Sequence, residues 1–153
     1  MKSIIEFFTN PPLMAAVVGW ALAQILKVVI ESIMAKKFTW ESIFASGGMP
    51  SSHSAFVMAL TTVIGFQYGL GSVYFAFAAA FALVVMYDAC GVRRAVGEQA
   101  KALNRIIDAL HENSTIGQEK ALKEILGHSP FQVAMGFVLG ILVGICTVIL
   151  FLR

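Results

Sequence analysis

A chain of 153 residues has the length of one domain, but 58% of its residues are hydrophobic and only 13% are charged, so its apolar side chains exceed what a soluble core could bury. The net charge of +2 gives no reason to expect a nucleic-acid partner. Cys90 and Cys146 lie in apolar runs and are too few for a disulfide framework or a cysteine metal site, so their expected role is packing.

The first predicted span follows a short interfacial segment at residues 1–8 and covers residues 11–33. Asn10 and Pro11 favour a helix start, because proline is tolerated in a first turn, and the early Pro-Pro break argues against a signal peptide. About 20 apolar residues cross a bilayer as a helix. Three later stretches are predicted as further spans: residues 50–68, 72–88 and 131–152, the first two joined by a tight turn at Gly69-Leu70-Gly71.

A polar-rich stretch between the third and fourth spans is predicted to form two interfacial helices, over residues 92–112 and 117–127. In the first of them apolar residues recur at spacings of three and four, with charges mostly between them. These residues are Val92, Val96, Leu103, Ile106, Ile107 and Leu110. The expected fold is therefore an all-α integral membrane protein, one domain over residues 1–153, with about four transmembrane helices and interfacial helices at its cytoplasmic face.

The basic residues predict the orientation in the membrane. With four spans, the first and third connections face one side, and the termini and the turn at Gly69 face the other. The two connections carry Lys36, Lys37, Arg93, Arg94, Lys101, Arg105, Lys120 and Lys123, whereas only Lys2 and Arg153 lie opposite. Lys and Arg favour the inner side of a membrane. We therefore expect the protein to lie in the plasma membrane with its first and third connections on the cytoplasmic side.

A histidine lies at the start of the second span, in the stretch "GGMPSSHSA". Ser51 or Ser52 is expected to cap this helix, directly before His53. A helix start offers unsatisfied N–H groups and the positive end of the helix dipole, which suits a bound anion. A single histidine in such a place is more often structural than functional.

The fourth span begins in the same way, in the stretch "GHSPFQ". Ser129 is expected to cap the helix, Gln132 completes a Ser-x-x-Gln capping box, and His128 precedes both. Two of the chain's three histidines therefore lie at capped helix starts on one face, which favours a functional role. His111, which lies in a polar stretch, is expected to be solvated.

Charged residues gather at the same membrane face. Asp88 ends the third span, Arg93 and Arg94 follow it, and Lys27 and Glu31 lie in the half of the first span that leads to this face. The arginines could be anchors that snorkel to the headgroups, and Lys27 and Glu31, four residues apart, could neutralise each other. An ionisable residue within a span is nevertheless a functional candidate with a partner.

Cations, two histidines and free helix starts suit phosphoryl transfer, because they can stabilise the phosphoryl oxygens in the transition state. One neutral histidine can attack phosphorus while the other, protonated, donates to the leaving oxygen. The sequence has no cysteine–histidine cluster, no closely spaced carboxylates and no P-loop lysine pattern. No metal or other cofactor is therefore expected.

Three ordered motifs carry a family resemblance: "GGMPSSHSA", "YDACGVRRAVGEQAKALN" and "LGHSP". Together they resemble the divergent, bacterial and plastid branch of the type 2 phosphatidic acid phosphatase and vanadium haloperoxidase superfamily. In particular, "PSSH" is similar to the second signature of that superfamily, Pro-Ser-Gly-His. The likeness covers nearly the whole chain.

The resemblance implies roles for the two helix starts. The histidine of the second signature protonates the leaving group, which assigns that role to His53 and places Ser51 and Ser52 on the phosphate. The third signature contains the nucleophilic histidine, and His128 is its best candidate in this sequence.

The chain also departs from the family pattern. Leu122 stands where the third signature has arginine, Gln132 where it has aspartate, and Met34 and Ala35 where the first signature has Arg-Pro. Other residues would then take over these roles. Asp88 would supply the negative charge of the absent aspartate, and Arg93 or Arg94 would bind the phosphate in place of the absent arginine. Lys27 with Lys36 or Lys37 would replace the basic residues of the first signature.

The leading expectation is a metal-independent membrane phosphatase that acts on a lipid phosphate or diphosphate through a phosphohistidine. Polyprenyl diphosphate, phosphatidic acid and phosphatidylglycerophosphate are the expected substrates. The alternative is a non-catalytic membrane protein that binds anionic lipids in the same pocket, which the broken signatures favour. A channel is less favoured, because the charged residues gather at one interface and are not spread across the bilayer.

Glycines recur every four residues on the fourth span, at Gly136, Gly140 and Gly144. A stripe of small residues allows two helices to approach closely in a membrane. We interpret it as a helix-packing face, through which a homo-oligomer could also form.

Overall fold

The computed structural model describes residue 6 and residues 8–36, 48–111 and 127–151. Within these ranges the regular structure is helical: α1 (Pro11–Ala35), α2 (Ser52–Tyr68), α3 (Val73–Cys90), α4 (Val92–His111) and α5 (Pro130–Phe151). The helix bounds agree closely with those predicted from the sequence. The interfacial helix predicted over residues 117–127 lies almost entirely outside the described residues.

Side-chain caps begin the first three helices. Asn10 Oδ1 accepts a hydrogen bond from the Leu13 N–H at 3.1 Å, and Ser72 Oγ accepts one from the Phe75 N–H at 3.1 Å. Ser51, and not Ser52, caps α2, where its Oγ accepts from the Ser54 N–H at 3.4 Å. Each bond satisfies a backbone donor that a helix start otherwise leaves unpaired.

Helix α2 lies at the centre of the bundle and packs against α1, α3 and α5. A Cβ atom built on Gly140 would lie 2.6 Å from the Ala55 carbonyl oxygen, and one on Gly144 would lie 2.6 Å from Thr62 Cβ. The glycine stripe of α5 is therefore a packing face, as predicted, and its partner is α2 of the same chain. Since α2 covers the stripe, a second copy could not use this face while the bundle is intact, and the homo-oligomer predicted there would need another surface.

The bundle has small residues inside and large apolar residues outside. Among the described residues, the largest side chains that are completely buried are Val63, Ser51 and Ser54. By contrast, Phe77 and Leu150 are exposed over 73% and 74% of their surface. Such an apolar surface is unfavourable in contact with water but not in contact with the hydrocarbon of a membrane. The packing is therefore typical of helices that associate within a bilayer.

Three helical stretches within the described residues are long and apolar enough to cross a membrane: Pro11–Ala35, Val73–Ile107 and Pro130–Phe151. The second of these comprises α3 and most of α4. Helix α2 has 17 residues and is shorter than these three. The fold class is thus confirmed as all-helical with membrane-spanning helices, while the count of four spans stays a prediction.

Adding one methyl group at the glycine stripe should loosen the bundle. In Gly140→Ala the new Cβ would meet Ala55 O at 2.6 Å, Met58 Cβ at 2.7 Å and Ala59 N at 3.0 Å, and two of these are backbone atoms that cannot rotate away. We expect a destabilisation of about 1–3 kcal/mol, measured as a lower midpoint of thermal unfolding in detergent. Gly71→Ala is the matched control, because nothing lies within 4 Å of its added Cβ. Equal midpoints for the two variants would contradict the close contact.

Candidate functional site

Four helix ends meet at one end of the bundle. The contacts of Gly136 with Ser51 and of Gly144 with Thr62 show that α5 runs parallel to α2. The pairs Gly65–Phe75 and Thr61–Ala78 place α3 antiparallel to α2. The starts of α2 and α5 and the end of α3 are therefore neighbours, and the last turns of α1 join them.

Two backbone hydrogen bonds tie these ends together. The Ser51 N–H donates to the Gln132 carbonyl at 3.0 Å, which links the start of α2 to the first turn of α5. The His128 N–H donates to the Ala89 carbonyl at 3.1 Å, which fixes the segment before α5 against the end of α3. The two histidine-bearing helix starts are thus held in a fixed relation by backbone groups.

The start of α5 has the predicted capping box. The Gln132 N–H donates to Ser129 Oγ at 3.3 Å, and the Ser129 N–H donates to Gln132 Oε1 at 3.0 Å. The same Oε1 lies 3.3 Å from His128 Nδ1. Because an amide oxygen can only accept, Nδ1 carries a proton in this contact and the ring is oriented by Gln132.

The imidazole of His128 is buried, with 7% of the residue exposed. Burial lowers the pKa of His128 below its ordinary value, because the charged ring loses hydration. The hydrogen bond with Gln132 and one with the Gly48 backbone raise this pKa, whereas the positive charges of His53 and Lys27 lower it. Burial dominates, so the ring is neutral at neutral pH.

The electrostatic contributions also show which groups surround His128. His53 and Lys27 are close enough to act on its charge, and Gly48 contacts it through the backbone. His53 is the second residue of α2 and is exposed, and Lys27 lies on α1 with only 4% of its surface exposed. The structure therefore brings three of the residues singled out from the sequence to one place.

Gly48 fills the space between α1 and the start of α2. Its φ of 81° is favoured by glycine, and a Cβ on it would lie 2.7 Å from Lys27 Cδ and would overlap Glu31 Oε1. Glu31 also interacts electrostatically with Lys27. The contact of Glu31 and Lys27 with the Gly48 turn was not predicted from the sequence. The glycines before Pro50 were the feature that could have indicated a close approach there.

Three other predicted site residues are buried or partly buried. The Ser51 hydroxyl is fully buried and also accepts a hydrogen bond from Ser54 Oγ at 3.0 Å, in addition to capping the helix. Ser52 is buried as well. Asp88 is partly buried beside Ala89, but it is not among the groups that shift the pKa of His128.

The side chains of Arg93 and Arg94, which were predicted to clamp the phosphate, lie outside the described part of the structure. Their backbone belongs to the first turn of α4. Searched over the described residues, the chain has no group of three or more His, Cys, Asp or Glu that could hold a metal ion.

The sequence is similar to those of known proteins. The profile of the Divergent PAP2 family matches residues 8–143. The chain is also 40% identical over 149 residues to YuiD, an uncharacterized membrane protein of Bacillus subtilis (strain 168), in a match that covers 90% of this chain and 93% of the relative. No solved structure matches the chain. The resemblance found in the three motifs is thus confirmed, and the chain is a membrane protein that belongs to the Divergent PAP2 family.

Proposed function

We propose that this protein is a metal-independent phosphatase of lipid phosphates or diphosphates, with its site at the cytoplasmic face of the plasma membrane. The observation that carries the proposal is the environment of His128: a buried, neutral imidazole held at Nδ1 by Gln132, with His53 and Lys27 close enough to act on its charge. Family membership supports phosphatase chemistry.

The nucleophile in this proposal is His128. With the Nδ1 proton held by Gln132, the lone pair of a neutral ring is on Nε2. Nε2 forms a bond to phosphorus as the bond from phosphorus to the lipid oxygen breaks, and protonated His53 gives its proton to that oxygen. Neutral His53 then takes a proton from water, which attacks the phosphohistidine, releases phosphate and restores the neutral ring of His128.

Positive charge at the site would hold the phosphate. The aliphatic part of the Lys27 side chain packs against the Gly48 turn, and Glu31 partly offsets the charge of its ammonium. A preorganised cation stabilises the transferring phosphoryl group most where water is excluded. Arg93 and Arg94, in the first turn of α4, are the further candidates for this role.

One observation favours the second candidate, a non-catalytic protein that binds lipid phosphates. Among the described residues, no carboxylate is one of the groups that shift the pKa of His128, and the side chain that orients its ring is the neutral amide of Gln132. An amide orients an imidazole but does not stabilise imidazolium by charge, which a carboxylate does. Binding without turnover is the expected behaviour under this alternative.

Phosphate release should depend on both histidines. We expect purified wild-type protein to release phosphate from lipid phosphates in EDTA, and His53→Ala and His128→Ala each to lose about 10²-fold or more in kcat, since general acid–base catalysis alone contributes on the order of 10²–10⁴-fold. The matched control is His111→Ala, which should keep full activity. Full activity of His128→Ala would overturn the nucleophile assignment, and lipid binding without any release by the wild type would favour the alternative.

The pH profile should report the neutral ring of His128. Because burial lowers the pKa of His128 and protonation removes the attacking lone pair, we expect the acid limb of the kcat/KM profile to lie below about pH 6.5. Gln132→Glu places a carboxylate beside Nδ1, which raises this pKa and moves the acid limb to higher pH.

Gln99→Glu, the same change at an exposed position of α4, is the control and should leave the limb in place. An acid limb that Gln132→Glu does not move would mean that another group titrates in the reaction.

A further inference from the structure

One side of α4 is apolar and has no partner in the bundle. Four residues recur at spacings that align them along this side, and each is exposed over 46% to 56% of its surface: Val92, Val96, Leu103 and Ile106, here called the α4 stripe. Within the described part of the structure, α4 contacts α3, the helix that precedes it, and none of the other helices. The α4 stripe is therefore an apolar surface that the described bundle leaves uncovered.

The opposite side of α4 carries charges. Glu98, Lys101 and Arg105 lie there, about half a turn around the helix from the α4 stripe. Lys101 Nζ is 3.3 Å from Glu98 Oε1, and Arg105 is exposed. Over its whole length α4 has four basic residues against two acidic ones, namely Arg93, Arg94, Lys101 and Arg105 against Glu98 and Asp108. An apolar stripe opposite a basic side is typical of helices that lie in the plane of a membrane surface.

The length of the helical stretch places α4 outside the hydrocarbon core. Val73–Ile107 has 35 residues, which is about 52 Å of helix, whereas the hydrocarbon core of a bilayer is about 30 Å thick. Helix α3 has 18 residues, or about 27 Å, and so fills most of that thickness by itself. The end of α3 is bonded to the segment before α5 through the Ala89 carbonyl. Helix α4 therefore begins where α3 leaves the core, at the level of the proposed site.

Two occupants fit an apolar stripe in this place, a second copy of the chain and the membrane surface. In a coiled coil of two copies, charged residues usually flank the apolar seam and pair across it. The α4 stripe is flanked by Ala95 and Ala102, which are exposed, widen the apolar side and form no salt bridges. A wide apolar side with its charges confined to the opposite side suits a hydrocarbon surface, and a basic excess complements anionic headgroups.

We propose that α4 is a membrane-docking surface. The α4 stripe enters the leaflet next to the proposed site, and the basic side of the helix selects anionic lipids such as phosphatidylglycerol. A helix seated at the boundary between headgroups and acyl chains has its polar side level with the headgroups, where the long side chains of Lys101 and Arg105 reach phosphate. The inference goes beyond the proposed phosphatase function and does not depend on it.

The test of insertion places a single fluorophore in the α4 stripe. The chain has two tryptophans, so Leu103→Trp is made in a Trp20→Phe, Trp40→Phe background. Glu98→Trp is the matched control, because position 98 lies on the opposite side of the same helix with 64% of its side chain exposed. In vesicles of phosphatidylcholine and phosphatidylglycerol, we expect lipids brominated in the upper acyl chain to quench Leu103→Trp severalfold more strongly than Glu98→Trp. Aqueous iodide should quench the control more strongly.

The test of lipid selectivity compares two brominated lipids at the same fluorophore. At equal mole fractions, brominated phosphatidylglycerol should quench Leu103→Trp more strongly than brominated phosphatidylcholine. Adding Lys101→Gln with Arg105→Gln should bring the two quenching efficiencies together, as should salt at about 1 M, which screens charges beyond about 3 Å. Adding Glu98→Gln instead removes the acidic partner of Lys101 and should widen the difference.

Three results would overturn the proposal. Equal quenching of Leu103→Trp and Glu98→Trp by brominated lipid would mean that the α4 stripe is not in the membrane. Protection of Leu103→Trp from iodide without quenching by lipid, increasing with the ratio of protein to lipid, would assign the α4 stripe to a second copy of the chain. Equal quenching by the two brominated lipids at low salt would remove the selectivity for anionic lipids.

Discussion

The contact between the backbone of α2 and the glycine face of α5 determines where both histidines lie. A Cβ on Gly136 would overlap the Ser51 carbonyl oxygen, so the two helices approach as closely as backbones can. Their parallel course brings both starts to one end of the bundle, and the Ser51–Gln132 hydrogen bond fixes their relative height. His53 and His128 are thus neighbours because small residues line a packing face several turns long.

Burial gives the two histidines different environments. His128 is enclosed by α3, α5 and the Gly48 turn, while His53 is exposed. Burial next to positively charged neighbours keeps the ring of His128 neutral, which a nucleophile requires, and Gln132 sets its orientation. A reaction that needs one neutral and one protonated histidine is served by such a pair, because pairs of titratable groups in contrasting environments can take opposite roles.

The sequence predicted the features that depend on neighbours along the chain. The helix start at Asn10 and Pro11, the capping box at Ser129 and the bounds of the amphipathic α4 follow from local hydrogen bonding and periodicity. It could not predict that the Ser51 hydroxyl would be buried, since that depends on α5 packing over it. The contact of Glu31 with the Gly48 turn is likewise set by tertiary packing, which no local spacing encodes.

The distribution of side-chain size connects the site to the membrane. Helix α2 uses its small residues, such as Ala55 and Ala59, to approach α1 and α5, and this leaves the larger Phe56 on a different side, towards the gap between α1 and α3. The gap is therefore lined by aromatic and β-branched residues and lies beside the first turn of α2, which carries His53. The same small-inside, large-outside pattern that holds the helices together in lipid thus leaves an apolar surface next to the proposed site of phosphoryl transfer.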